Sequence, residues 1–298
     1  MSRSPFNTGR RLVIGVPFLW LFLFFLLPFA IVLKISFAEA DVAIPPYTEI
    51  FRYAEQQLQV LINLGNYIFL TEDELYLSAY LGSLKIAFIS TLLCLLLGYP
   101  MAYAIARSSK EAQTVFLLLI MMPTWTAILI RVYAWMGILS NNGLLNGFLQ
   151  GIGLIDQPLQ ILNTNLAVYI GIVYSYLPFM ILPIYSVMKN ISPSYMRAAV
   201  SLGCHPFASF WRVYFPQTLA GVGAGSLLVF IIAIGYYITP ALLGSPNDQM
   251  VSYFVAFYTN TTINWGMATA LGGLLLLATM LLYVVYSWLV GASRLRLG

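Results

Sequence analysis

Six stretches of the chain are apolar almost without interruption: about 12–33, 77–106, 114–139, 165–188, 218–242 and 267–290. Each reaches the roughly 20 residues that a helix needs to cross a bilayer. Hydrocarbon offers backbone N–H and C=O groups no partners, so a continuous apolar run of this length predicts a helix. A barrel would instead show short alternating segments. The pattern therefore predicts an all-α membrane protein with six transmembrane helices. Between the first two runs lies a polar segment, 38–76, opened by Pro45-Pro46. Tyr53, Leu58 and Ile62 recur there among polar residues. That spacing suits a helix lying on the outer surface, and equally a solvated loop joining two spans. No internal repeat, linker or low-complexity tract stands out, which predicts a single transmembrane domain over 1–298.

Composition strengthens this picture. Hydrophobic residues make up 60% of the 298 and charged residues 8%, with a mean hydropathy of +0.85. A soluble domain carries roughly 25% charged residues. A soluble enzyme, a disordered chain, a disulfide-rich secreted domain and a nucleic-acid binder are all excluded on this ground. Placement of charge then orients the spans. Arg3, Arg10, Arg11, Arg107, Lys110, Lys189, Arg197, Arg212, Arg294 and Arg296 fall on one side, and only Arg52 lies in the opposite loops. Lys34, Lys85 and Arg131 sit within or at the outer ends of spans. Both termini are thus expected in the cytoplasm. The acids Glu39, Asp41, Glu49, Glu55, Glu72, Asp73, Glu74, Asp156 and Asp248 collect on the outer face, and Glu111 lies inside. The first apolar run follows Arg3, Arg10 and Arg11 as a signal peptide would. At about 22 residues it exceeds the 7–15 of a signal core, which predicts a retained helix.

Catalytic chemistry is missing. There is no G-x-x-x-x-G-K-[ST] phosphate loop, no H-E-x-x-H and no G-x-S-x-G. No carboxylate lies inside a span, where a proton-coupled pump would place one. Cys94, Cys204 and His205 are too few and too scattered for a metal site. Neither a catalytic residue nor a metal ligand is expected. Pro100, Pro123, Pro178, Pro183 and Pro240 interrupt the spans, as in bundles built around a cavity. Trp125, Tyr133 and Trp135 recur in the third span, Tyr169, Tyr174 and Tyr176 in the fourth, Tyr236 and Tyr237 in the fifth. Such rings can hold an organic cation or form an interfacial belt. Arg131 either anchors its helix at the outer interface or faces the bundle. Trp125, Arg131, Tyr174, Tyr236 and Tyr237 are the candidate substrate-path residues, and Thr239-Pro240 marks a candidate helix break.

The loop 189–217 carries a different signal. It reads Ser194-Tyr-Met-Arg-Ala-Ala-Val-Ser-Leu-Gly203-Cys-His-Pro-Phe-Ala-Ser-Phe-Trp-Arg-Val213-Tyr-Phe-Pro216. A short helix should end at Gly203, where glycine tolerates a left-handed turn, and Pro206 should start another. Phe207, Phe210 and Trp211 form a compact apolar face. That face either docks another protein or packs on the chain's own spans.

Ala198, Ala199, Gly203 and, nine residues on, Val213-x-Phe215-Pro216 resemble the EAA motif of permease subunits of bacterial ABC importers, E-A-A-x3-G-x9-I-x-L-P. Further segments are similar to the spermidine/putrescine branch of that family, putrescine-type permeases above all: Ala43-Ile-Pro-Pro-Tyr-Thr-Glu49, Ser90-Thr-Leu-Leu-Cys-Leu-Leu-Leu-Gly-Tyr-Pro100, Ile130-Arg-Val-Tyr-Ala-Trp-Met-Gly137 and Pro178-Phe-Met-Ile-Leu-Pro-Ile-Tyr185. The resemblance implies a type I importer permease fold in the bacterial inner membrane. It implies two ATP-binding partner subunits that hold ATP and Mg, a periplasmic solute-binding protein, and a second permease subunit, expected to be a paralogue. Membrane lipid is the remaining partner, and no cofactor is expected in this chain itself. Arg197, Ala198, Ala199, Gly203, Phe207 and Pro216 would form the ATPase-coupling element.

Two departures matter. Arg197 stands where the motif has Glu. Gly235-Tyr236-Tyr237-Ile-Thr-Pro240-Ala241 stands where the putrescine type resembles G-E-F-x-x-P-E, so two acids are absent. A dicationic amine wants carboxylates at its ends, because burying an unpaired charge is costly. The expected cargo is a polyamine or a related small amino compound, with a zwitterion such as 4-aminobutyrate as the alternative. A stand-alone secondary transporter would need ion-binding acids or inverted repeats, and a membrane scaffold would not need a coupling loop.

Overall fold

The computed structural model describes residues 6–41, 43–54 and 57–294. Arg3, Glu55 and Arg296, used above for orientation, lie outside the described residues. In chain order the helices are α1 (Phe6–Leu21), α2 (Leu27–Ile35), α3 (Gly65–Glu72), α4 (Glu74–Arg107), α5 (Lys110–Met121), α6 (Ile128–Leu139), α7 (Leu144–Gly151), α8 (Asn165–Met188), α9 (Pro193–Ser201), α10 (Pro206–Ser209), α11 (Phe215–Ile234), α12 (Ile238–Leu243), α13 (Val251–Asn260) and α14 (Trp265–Arg294). Strands β1 (Phe51–Ala54) and β2 (Gln57–Val60) form an antiparallel hairpin between α2 and α3. Five helical stretches are long and apolar enough to cross a membrane, and six when the bent pair α5–α6 is taken as one span.

The chain divides into two compact units, one reaching up to Tyr76 together with Phe254–Ala278, the other Leu77–Tyr253 with the chain from Thr279 on. In the first unit, α1 and α2 join through a π-helical turn, Phe22–Leu26. The side chains from Val13 to Leu27 are exposed and almost all apolar, as suits a surface facing lipid. The segment after α2 is tied down by polar contacts. Asn66 Nδ2 donates to the Ser36 and Ala38 carbonyls (3.1 and 2.9 Å), and Tyr67 hydrogen-bonds Ser36 Oγ at 2.7 Å. The surface helix that Tyr53, Leu58 and Ile62 suggested is replaced here by the hairpin, with Tyr53 paired to Leu58. Gln57-Leu58-Gln59-Val60 alternates with period two, the period of a strand and not of a helix. Helix appears only from Gly65.

The second unit is organised on α8. Small residues let its neighbours approach closely, the usual device where lipid removes the hydrophobic drive between helices. A methyl group on Gly221 of α11 would stand 2.9 Å from the Pro183 carbonyl oxygen. One on Gly225 would stand 3.0 Å from that of Met180. On α4, Gly98 meets the Met180 side chain, and on α8 itself Gly171 meets Thr239 and Leu243 of α12. Ser83 Oγ on α4 accepts from the Val251 N–H at 2.9 Å, satisfying a donor in the first turn of α13.

Two apolar runs are not the continuous helices that their hydropathy suggests. The run over 114–139 turns through 92° between a segment ending at Trp125 and one starting at Ile128. Pro123 opens a 3-10 turn, Met122–Trp125. Thr124 and Thr126 hydroxyls donate to the Met121 and Pro123 carbonyls at 2.6 and 2.9 Å, and the Thr126 N–H also reaches the Pro123 carbonyl at 3.4 Å, so acceptors at the break are satisfied. The run over 218–242 belongs to a helical stretch that already starts at Pro206 and stops at Ile234. Gly235, Tyr236 and Tyr237 separate it from α12. A helix continued through them would need an N–H at position 240 to bond the Tyr236 carbonyl, and Pro240 has none.

Candidate functional site

The two helix breaks meet in the second unit and line a half-open cavity of about 970 Å³. Thr124–Ile128 supply one wall from the break between α5 and α6, and Arg131 projects from the first turn of α6. The facing wall is α8, through Ser175, Tyr176 and Phe179. The third is the end of α11 and its break, through Ile231, Ile232, Gly235 and Tyr236. Positions 175, 176 and 179 share one helical face. Their rings form an edge-to-face series: Tyr236 and Tyr176 lie 5.5 Å apart at 72°, Tyr176 and Phe179 6.3 Å apart at 61°. Arg131 is the charged group among these lining residues. Its Nε and Nη1 are covered and have no hydrogen-bond partner among the described residues.

Three of the five substrate-path candidates, Trp125, Arg131 and Tyr236, come together here. Tyr174 and Tyr237 do not line the cavity. Tyr174 packs edge-on against Trp135, ring centroids 5.3 Å apart, and Tyr237 is exposed. Ser175, Tyr176 and Phe179 were not among the path candidates. Their i, i+1, i+4 spacing was visible in the sequence, but an apolar helix does not announce which of its faces meets a cavity. Thr239-Pro240 lies just beyond the break, in the first turn of α12.

At the other end of α11 stands a compact elbow. Helix α9 carries Arg197, Ala198 and Ala199; Arg197 and Ala198 are exposed. Its C-terminus closes with two reversed bonds, Cys204 N–H to the Ala199 carbonyl (3.0 Å) and Gly203 N–H to that of Val200 (2.9 Å). This is the Schellman arrangement, and it requires the φ of +91° that Gly203 adopts. His205 caps α10, its Nδ1 accepting from Phe207 N–H at 3.3 Å, and Pro206 occupies the first turn. A π-helical turn, Phe210–Tyr214, leads into α11, where Pro216 sits in the first turn. The foot of the elbow is an aromatic cluster of Tyr103, Phe210 and Tyr214, with the Arg107 guanidinium 5.0 Å from the Tyr214 ring and 5.5 Å from that of Tyr103. Its tip is exposed apolar surface: Leu202 is 89% exposed and Phe207, edge-on to Trp211, 70%. Phe207 and Phe210 thus divide the two readings of this aromatic face, one turned out and the other packed inward. No group of three or more metal-ligating side chains occurs among the described residues.

Residues 10–297 match the family described as binding-protein-dependent transport system inner membrane component, and the chain belongs to it. It is 33% identical over 289 residues to the spermidine/putrescine transport system permease protein PotB of Haemophilus influenzae, covering 94% of each chain. To PotB of Escherichia coli K12 it is 35% identical over 276 residues, 93% of this chain and 94% of that one. Among solved structures it resembles a chain of a bacterial alginate ABC transporter in complex with an alginate-bound periplasmic protein, with a TM-score of 0.71, 17% identity and 96% coverage of each. That likeness shows the fold. The chain is therefore a multi-pass inner-membrane permease subunit of an ABC importer, working with a binding protein and ATPase subunits, and has no catalytic role of its own.

Proposed function

We propose that this subunit carries a polyamine of putrescine-like size, or a related small amino compound, through the cavity at its two helix breaks. The observation that carries the reading is identity of 33–35% to spermidine/putrescine permeases along nearly the whole chain. The cavity suits such a cargo, because Trp125, Tyr176 and Tyr236 offer ring faces to an ammonium group. The elbow at Gly203 would seat in an ATPase subunit through Phe207 and Leu202. Two ATPases that bind ATP and Mg, and a second permease chain, paralogous to this one, complete the assembly in this reading.

Coupling follows from α11. Its 20 residues, about 30 Å at 1.5 Å per residue, run from Pro216 at the elbow to Ile231 and Ile232 on the cavity wall. Close packing against α8 makes it a stiff lever. A shift of the elbow would be delivered at the Gly235–Tyr237 break, where α11 stops and α12 has not begun. Alternating access would open and close the cavity in this way.

The test is substrate-stimulated ATP hydrolysis by the assembled importer in vesicles, with putrescine, spermidine, 4-aminobutyrate and basic amino acids offered through the binding protein. Stimulation by one or more of these amines is expected. Stimulation by a non-amine solute alone would overturn the reading.

A further inference from the structure

The cavity has one feature that a passage for diamines would not call for. It presents a guanidinium, Arg131, and no carboxylate among its described lining residues. Two of the guanidinium's nitrogens are covered and have no hydrogen-bond partner among the described residues. A charge at such a site is costly unless an opposite charge meets it. The group that fits a guanidinium fork is a carboxylate, through two parallel N–H···O bonds. Beside an aliphatic portion, the rest of the wall offers the rings of Trp125, Tyr176, Phe179 and Tyr236 and the hydroxyls of Thr124, Thr126 and Ser175. An ammonium group is accepted there by ring faces and hydroxyl oxygens. A dication would bring a second positive charge into a space that already holds an uncompensated one, whereas a zwitterion neutralises it.

We propose that the cavity is built for a zwitterionic ω-amino acid, with its carboxylate on Arg131 and its ammonium end against the Tyr176–Tyr236 rings. The inference rests on the reading that small amino compounds pass through this cavity, and it narrows their class.

The test uses the complete importer in vesicles and a pair of probes with the same four-carbon skeleton, 4-aminobutyrate and 1,4-diaminobutane. Uptake of each is measured after the binding protein's own affinity for the two has been titrated and divided out. We expect 4-aminobutyrate to enter at least tenfold faster than the diamine. Arg131→Gln should cut its entry at least tenfold, and Arg131→Lys should restore part of it, since a point charge remains but the fork is lost. Should Arg131→Gln fail to co-purify with its partners, Tyr236→Glu supplies the second reading. A carboxylate placed in the same cavity should shift the uptake ratio at least fivefold toward the diamine. Diamine uptake equal to or faster than that of 4-aminobutyrate, or a ratio unmoved by Tyr236→Glu, would overturn the zwitterion proposal and leave the amine reading standing. Entry of neither probe would overturn the zwitterion proposal, and the amine reading would fall with it only if spermidine and basic amino acids also failed to enter.

Discussion

The elbow and the cavity lie at opposite ends of one helix, and they are built by different means. The elbow is local. Nearly everything that shapes it, from Ser192 as the N-cap of α9 through Gly203 and Pro206 to Pro216, lies within about 25 consecutive residues. Each of its turns is fixed by a side chain or a φ angle of that same segment. The cavity is assembled from three segments separated by some 40 to 50 residues each, around 124–131, 175–179 and 231–236. No local rule places Arg131 opposite Tyr176. What places them is the packing of α8 against its neighbours. A docking surface that must present one shape to a partner can be made by capping chemistry. In the proposed reading the cavity must change shape, which needs elements that can move against each other, and it inherits its geometry from the seams between them.

That contrast can be broken deliberately. The largest effect is expected at the α8–α11 seam. Gly221→Leu forces a side chain against the Pro183 and Ile184 backbone, which stand at 2.9 and 3.0 Å from a methyl group there. Overpacking should cost about 3 kcal/mol. Thermal unfolding of the purified complex should shift down, with the cavity lost and the elbow sequence untouched. A variant as stable as the native chain would show that the seam does not govern this unit.

Phe207→Ala comes next. An exposed ring that anchors an interface is worth about 2 kcal/mol, or roughly thirtyfold in affinity. The ATPase should dissociate faster in a pull-down or surface-binding assay, while unfolding of the permease stays put. Gly203→Ala should cost about 1 kcal/mol, because alanine must hold a left-handed φ. The expected sign is reduced coupling, more ATP hydrolysed per solute moved, with assembly retained. The smallest effect is expected for Thr126→Val, which removes one hydroxyl bond to the Pro123 carbonyl. About 1 kcal/mol or less is at stake, read as a slight loss of uptake without loss of ATPase binding.

The same contrast explains what could be read from the sequence. The membrane class and the all-helical fold followed from apolar runs alone. The helix end at Gly203 and the start at Pro206 were legible, because glycine and proline act where they stand. Pro123 and Pro240 were visible too, yet so were Pro178 and Pro183, which remain inside α8. Which proline breaks a span depends on whether neighbours accept the turn, and the sequence is silent on that. Tyr174 and Tyr176 show the same limit. They differ by two positions, so they point to different sides of α8, and only tertiary packing decides that 176 meets the cavity. The hairpin at 51–60 was missed because its period-two alternation is confined to the four residues 57–60 and lies among polar residues that suit either structure.

The most direct test of the account is labelling of a cysteine on the cavity wall. In a chain carrying Cys94→Ala and Cys204→Ser, Ser175→Cys would be assembled into the importer and exposed to a small water-soluble thiol reagent. Ala241→Cys, exposed but outside the cavity, would serve as control. With the binding protein, ATP and 4-aminobutyrate present, labelling at 175 should slow several-fold, and less so with 1,4-diaminobutane, while labelling at 241 is unchanged. Equal rates at 175 with and without both amines would contradict the claim that this cavity is the path.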